Sequence, residues 1–252
     1  MKFENTDVYN FENAIRGMRN PMNSWNKSDS GFGCDGELCS ICMFKPDGCN
    51  TTPEFILGEN DLDLAQRLIK GGSEHRKYLR QIFVSVDITA PMYWWSEADT
   101  YKIGTVANST SKMHKLSTTP ITIDCFETDD YEPSLIFEEG VDDSGDNPWN
   151  YKISVEYAVG TNEKEYYNSD TFIGFLESLR LKYLETKDKK YWKELVRWLP
   201  ESWLQTRTWT ANYEVIRNIV HQRQGHKLTE WASFIEWAKS LPYAEELIFY
   251  EG

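Results

Sequence analysis

No apolar run in this sequence reaches the roughly 18 residues that a membrane-spanning helix needs. The N-terminal stretch MKFENTDVYNFENAIRG also lacks the charged start and apolar centre of a signal peptide. The expectation is a cytoplasmic protein with no membrane partner. Basic residues are outnumbered, 27 Lys and Arg against 40 Asp and Glu, for a formal net charge of -13. A general binder of polymeric nucleic acid carries the opposite balance. Histidine is scarce at four, and His221 and His226 stand five residues apart, not the four that place two ligands on one helical face. Cysteine is limited to five, an odd count that fits reduced thiols and argues against a disulfide framework. There is no G-x-S-x-G elbow and no phosphate-binding glycine loop, which disfavours nucleophilic hydrolysis and P-loop chemistry. No EF-hand spacing and no internal repeat occur either.

What is present suits one large domain, 1–252, carrying insertions: the length of 252 residues suffices for a sizeable core. Ten Trp and fourteen Tyr supply bulk for that core, with stacking surfaces as a second use. Residues 11–19 read as a short helix ended by Asn20-Pro21. Residues 28–52 are rich in Gly, Asp, Ser and Cys and read as a loop insertion. Within it Cys39-x-x-Cys42 has the bite of a zinc knuckle, which makes Cys34, Cys39, Cys42 and Cys49 a candidate structural zinc set. Only one close pair is present and no His lies nearby, so an unliganded loop stands beside that reading. Residues 61–70 predict a helix with Asn60 as N-cap and Gly71-Gly72 as its stop. HRKYLRQ (75–81) is helical in pattern, and IFVSVDITAP (82–91) alternates as a strand.

The acidic stretch 117–166 reads as a second insertion, with strands at ITIDCF, SLIFEE and YKISVEYAV and a solvated carboxylate face. Helices are predicted from Asp170 to Tyr183, over Tyr191–Trp198, and over Leu228–Leu241. The arrangement is α+β, with strands first and a helical C-terminal half.

Two stretches carry the chemistry. Thr208 to Trp231 is helical in pattern through Val215, Ile216, Ile219 and Val220, yet Asn212, Asn218, Arg223 and His226 lie along it. Ser96 to Leu116 concentrates Thr, Lys, Asn and Ser with few turn formers. It is either a solvated loop or a segment whose donors converge on phosphate or carbonyl oxygens.

The run TWTANYEVIRNIVHQRQGH is similar to the C-terminal signature of flavin-dependent thymidylate synthases. Trp209, Thr210, Asn212, Asn218, Arg223, His226 and Glu230 fall on that pattern, with Leu199-Pro200 at the family's distance before it. The stretch ITAPMYWWSEADTYKIGTVANSTSKM resembles the family's strand followed by its Arg-His-Arg-x-x-Ser signature. The resemblance covers about residues 60–112 and 195–247. It implies a thymidylate synthase complementing protein-like fold, a central, mostly antiparallel sheet flanked by helices. It also implies a homotetrameric flavoprotein methyltransferase that binds FAD and dUMP at subunit interfaces. Methylenetetrahydrofolate supplies the one-carbon unit, NADPH reduces the flavin, and the partner is a pyrimidine deoxynucleotide monophosphate in nucleotide biosynthesis.

Carried over, Arg223 would be the catalytic group that holds and polarises the uracil carbonyl. Asn212 and Asn218 would bond the flavin, with His226 beside them. The upstream signature is altered: Thr100, Lys102 and Thr105 stand on its cofactor-binding positions. His75 stands for a flavin-side His only if a gap is allowed. On the substrate side the resemblance points to Asn108 (for Glu), Ser109, Thr110, Lys112 (for Arg) and Arg197, one position displaced. Lysine keeps phosphate attraction and loses the bidentate fork of arginine. A nucleotide-binding homo-oligomer with altered or lost catalysis is the alternative these departures raise.

Overall fold

A computed structural model of the chain describes residues 1–34, 37–38, 54–128, 153–154, 166–167 and 169–251. The described strands are β1 (Lys2–Tyr9), β2 (Gly31–Cys34), β3 (Glu37–Leu38), β4 (Glu54–Ile56), β5 (Phe83–Pro91), β6 (Val106–Ser109), β7 (Ile153–Ser154), β8 (Tyr166–Tyr167) and β9 (Leu204–Asn212). The helices are α1 (Phe11–Met18), α2 (Glu59–Lys70), α3 (Met92–Ala98), α4 (Lys112–Lys115), α5 (Ser169–Thr186), α6 (Lys189–Trp198), α7 (Tyr213–Arg223), α8 (Glu230–Lys239) and α9 (Ala244–Leu247). The largest sheet has the order β1-β5-β9-β6. The class is α+β, an antiparallel sheet flanked by helices, as the sequence predicts. No described helix is long and apolar enough to cross a membrane.

The chain divides into two compact units. The first comprises Met1–Thr89, Ser96–Asn108 and Arg207–Gly252. Its strand β5 obeys the alternation read from the sequence, with Val84, Val86 and Ile88 all buried. The antiparallel register with β1 slips between Glu4 and Asp7. At that slip Asn5 takes a left-handed φ of 51°, which asparagine tolerates, and its amide bonds the Asp87 carboxylate at 2.8 Å. Helices α7 and α8 add Ile216, Ile219, Trp231 and Phe234 to this core, and α1 and α2 add Ala14, Ile15, Ala65 and Ile69.

Helix α2 begins two residues before the predicted start, and Asn60 is not its cap. The carboxylate of Asp29, remote in sequence, accepts from the backbone N–H groups of Asn60 (2.9 Å) and Asp61 (3.1 Å) instead. Asp61 itself is fully buried. Its Oδ1 accepts from Arg19 Nε, and its Oδ2 from the hydroxyls of Ser28 and Ser30, both at 2.6 Å. Burial alone would push this carboxyl up; the bonds from Ser28, Ser30 and Arg19 together outweigh it and hold the group below its ordinary range.

The second unit comprises Ala90–Trp95 and Ser109–Thr206. Its core gathers Leu116, Ile121, Phe126, Leu176 and Leu195. The predicted strand over 121–126 is instead a 3-10 turn, Ile123–Cys125, followed by a single bridge from Phe126 to Trp203. Asp188 caps α6 by accepting from Lys190 N at 3.0 Å, which fixes the start that the sequence placed two residues later. The expected strand SLIFEE and most of the acidic insertion lie outside the described residues, as do Cys39, Cys42 and Cys49.

Candidate functional site

The stretch read from sequence as one helical segment, 208–231, is in fact three pieces. Thr208–Asn212 completes β9, Tyr213–Arg223 is α7, and α8 begins at Glu230. Asn212 is the hinge between the first two: its backbone stays extended, and its Oδ1 accepts from Val215 N at 3.0 Å, an N-cap. Its amide nitrogen faces the turn at Gly104, where a side-chain Cβ would stand 3.0 Å away. Gly104 has φ +81°, so both the conformation and the close approach require glycine there. The 100–105 turn is thereby seated on the first turn of α7.

Asn212 therefore has a structural duty at the β9–α7 junction. Replacing Asn212 by Ala costs about 1 kcal/mol, the usual loss for an N-cap, measured by urea unfolding. Asn212→Asp keeps the cap and removes only the amide donor. Stability close to wild type is the expected result for that variant, by the same measurement.

At the other end of α7, Arg223 lies in the last turn, where the helix dipole favours a cation. Gly225, with φ +69°, turns the chain back just beyond the helix. That reversal returns His226 N to the Arg223 carbonyl at 3.1 Å and brings the imidazole alongside the guanidinium. Arg223 Nε donates to Tyr101 Oη at 2.9 Å, and Nη1 donates to Glu97 Oε2 at 2.8 Å. The guanidinium carbon sits 4.5 Å from the centre of the Trp231 ring and 5.5 Å from that of Tyr101, cation–π contacts on both rings. Trp231 Nε1 donates to the same Glu97 oxygen at 3.0 Å. Tyr101 in turn reaches Gln222 Oε1 at 3.1 Å.

The His226 ring completes the cage in one tautomer. Leu228 N donates to its Nδ1 at 3.2 Å, so a neutral ring carries its proton on Nε2. That N–H faces Glu97 Oε2 at 3.6 Å, and the 3.1 Å approach of Arg223 Nη1 is then a contact between two donors rather than a bond. Arg223 is thus a fixed, paired cation, 17 % exposed beside a Glu97 that is 35 % exposed. A pair at that exposure contributes at most about 1 kcal/mol to stability, so its consequence is orientation.

The sequence-predicted residues fall as follows. Asn212, Asn218, Arg223 and His226 share α7 and its C-terminal turn, with Asn218 half-buried between the two ends. Thr100, Lys102, Thr105 and Asn108 follow along the neighbouring segment. The Thr100 hydroxyl donates to Glu97 O at 2.7 Å and the Thr105 hydroxyl to Tyr101 O, while Lys102 and Asn108 are exposed. His75 is exposed beside Gly71 and joins none of the contacts around Arg223.

Ser109, Thr110, Lys112 and Arg197 belong to the second unit. Ser109 and Thr110 are exposed, Lys112 is half-buried, and Arg197 is exposed and paired with Glu194. Among the described residues no group of three or more His, Cys, Asp or Glu could hold a metal; Cys34 is the one member of the proposed zinc set among them.

Glu97 is the residue that sequence reading passed over. Its signal was a carboxylate four residues before Tyr101, at the head of a segment that concentrates Thr, Lys, Asn and Ser.

No family model matches the sequence, and no curated protein matches it. Solved structures do. The flavin-dependent thymidylate synthase ThyX from Helicobacter pylori, complexed with FAD and dUMP, is 16% identical with a TM-score of 0.56, over 100% of this chain and 98% of that one. A second structure of ThyX from Helicobacter pylori with FAD and dUMP is 15% identical with a TM-score of 0.57, covering 98% and 97% of the two chains. The chain shares their fold. That likeness spans the whole length, including residues on both sides of the acidic stretch that the sequence resemblance left uncovered.

Proposed function

We propose that this chain binds a pyrimidine deoxynucleotide monophosphate and, with a flavin, transfers a one-carbon unit to C5 of the base, converting dUMP to dTMP or making a related modified nucleotide. The observation that carries the reading is the oriented Arg223, held by Tyr101, Glu97 and Trp231, on a fold shared with proteins complexed with FAD and dUMP. Arg223 donates to a carbonyl oxygen of the base and takes up the negative charge that develops there.

The flavin is FAD, and the residues fit it in kind. Lys102 is an exposed cation suited to the phosphates. The amide of Asn218, which makes no hydrogen bond among the described residues, and the Nδ2 of Asn212 are donors suited to ring carbonyls and nitrogens. When bound, the flavin supplies hydride transfer; these side chains bind and orient it. NADPH as reductant, methylenetetrahydrofolate as donor, a homotetrameric assembly and a cytoplasmic setting belong to the same proposal. A structural zinc on the Cys34–Cys49 segment is a separable one, checked by metal analysis.

The Glu97–Arg223 pair favours a second reading, a nucleotide-binding homo-oligomer with muted catalysis, because the carboxylate cancels the charge that would polarise the base. Fluorescence titration with FAD, followed by assay of dUMP with methylenetetrahydrofolate and NADPH, separates the two. Flavin uptake with formation of dTMP or a C5-modified product is expected. Failure to take up FAD overturns the flavin reading, and binding of both ligands without product establishes the second one.

A further inference from the structure

The first unit holds a cavity of about 280 Å³ beside α1, and none of its lining residues belongs to the cage around Arg223. Two arginines line it. Arg19 is only 4 % exposed, and its donors are unequally used. Nε bonds Asp61, Nη1 has a long 3.5 Å contact with the Ser24 carbonyl, and Nη2 is buried with no partner among the described residues. A buried guanidinium nitrogen without an acceptor is unfavourable, and such an atom marks a place where a polar group belongs. Arg16 is exposed, and its side chain makes no hydrogen bond or ion pair among the described residues. The hydroxyls of Ser28 and Ser30, also in the lining, are spent on Asp61, which leaves the two arginines as donors.

The aromatic part of the lining is already ordered. Trp25 is 45 % exposed, yet its Nε1 donates to Asn20 Oδ1 at 2.8 Å, which fixes the ring. Phe55 of β4 packs against Phe11 and Phe32, with ring centres 5.8 Å and 5.7 Å away. Rings held in this way lose little freedom when a ligand lies against them. Charge selects the kind of anion. Asp61 already pairs with Arg19, and the exposed Glu12 carboxylate shares the lining with Arg16. A dianionic phosphate meets too little positive charge there, whereas one carboxylate is matched. The volume, at the lower end for small-molecule sites, suits one ring with a short acid arm.

We propose that this cavity is a second ligand site, for a small planar monocarboxylate. Its acid group accepts from Arg16 and Arg19, and its ring lies against Trp25 and Phe55. The site is independent of the nucleotide reading above.

The test is calorimetric titration of the full chain with indole-3-acetate, with indole-3-acetamide as the same ring without the charge, and with inorganic phosphate. Wild type is expected to bind the acid at a single site and phosphate not at all. The amide should bind about tenfold more weakly, the range for losing a hydrogen bond between charged groups. Arg16→Ala should weaken the acid by about tenfold and change the amide by less than about twofold. Trp25→Ala, which removes the ring and no charge, should weaken acid and amide alike. Both side chains reach solvent, so neither variant empties the core. No saturable binding of the acid to wild type overturns the proposal, as does binding that neither variant changes. Equal affinities for acid and amide, or displacement of the acid by phosphate, overturn the carboxylate assignment. Loss of acid binding in saturating dUMP would place the probe at Arg223, which overturns the second site and leaves the nucleotide reading standing.

Discussion

Arg223→Ala is expected to lower dUMP affinity by roughly 10- to 100-fold, the range for losing a hydrogen bond from a charged donor. The loss has two sources. On the proposed reading the base carbonyl loses its guanidinium donor, and Glu97, with its counter-ion gone, presents an uncompensated carboxylate to the incoming anionic nucleotide. Arg223→Lys separates them, because lysine restores a positive charge but cannot span Tyr101, Glu97 and the ligand with one ammonium. The lysine variant should recover part of the phosphate-independent affinity and little of the turnover. Thermal unfolding of both variants within a few degrees of wild type accompanies this outcome, since Arg223 is partly exposed and its ion pair contributes little to stability. Undiminished dUMP affinity in Arg223→Ala would show that the cage is structural.

The second large effect is on stability and lies at Asp61. Asp61→Ala is expected to cost about 3–5 kcal/mol, because it strands the buried Arg19 guanidinium, whose Nη2 already lacks a partner among the described residues. The hydroxyls of Ser28 and Ser30 lose their acceptor in the same step. Asp61→Asn retains an acceptor oxygen and should lose less. The pH dependence follows from the sign of the shift. The Asp61 carboxyl titrates below its unfolded value, near 3.9, so the folded state binds fewer protons than the unfolded state in that region. Its contribution is complete above about pH 4 and disappears as the pH falls through the folded-state value. Urea unfolding between neutral and acid pH should show wild type losing stability in that window, with Asp61→Asn losing less there. Parallel profiles for the two proteins would remove Asp61 as a source of acid sensitivity.

A second titrating group acts in the same direction. Burial and the neighbouring Arg217 hold the His221 imidazole below its ordinary range, while its bond to the Ile248 carbonyl opposes them. The folded state favours the neutral ring, so stability also declines as the pH falls from about 6.5 through the folded value. Comparing His221→Gln with Asp61→Asn separates the two windows.

Much of the fold is legible in the amino-acid order because it depends on periodicity. The alternation of Val84, Val86 and Ile88 makes β5, and the spacing of Ile216, Ile219 and Val220 makes α7. The polar set of α7 was visible as well, because Asn212, Asn218, Arg223 and His226 are more than a packing helix needs. Local pattern could not show where β9 gives way to α7, since Thr208–Asn212 has residues compatible with either state and the ladder of the sheet decides it. Nor could it show that α2 is capped by Asp29, because that bond joins residues about thirty positions apart. The state of Arg223 was hidden for the same reason. Composition marks it as a cation at a helix end, whereas its partners Glu97 and Tyr101 lie more than a hundred residues away in the chain. Sequence alone set the α+β class and nominated Arg223. Tertiary structure alone determined that this arginine is paired and caged, because charge pairing depends on distance in space and not on distance along the chain.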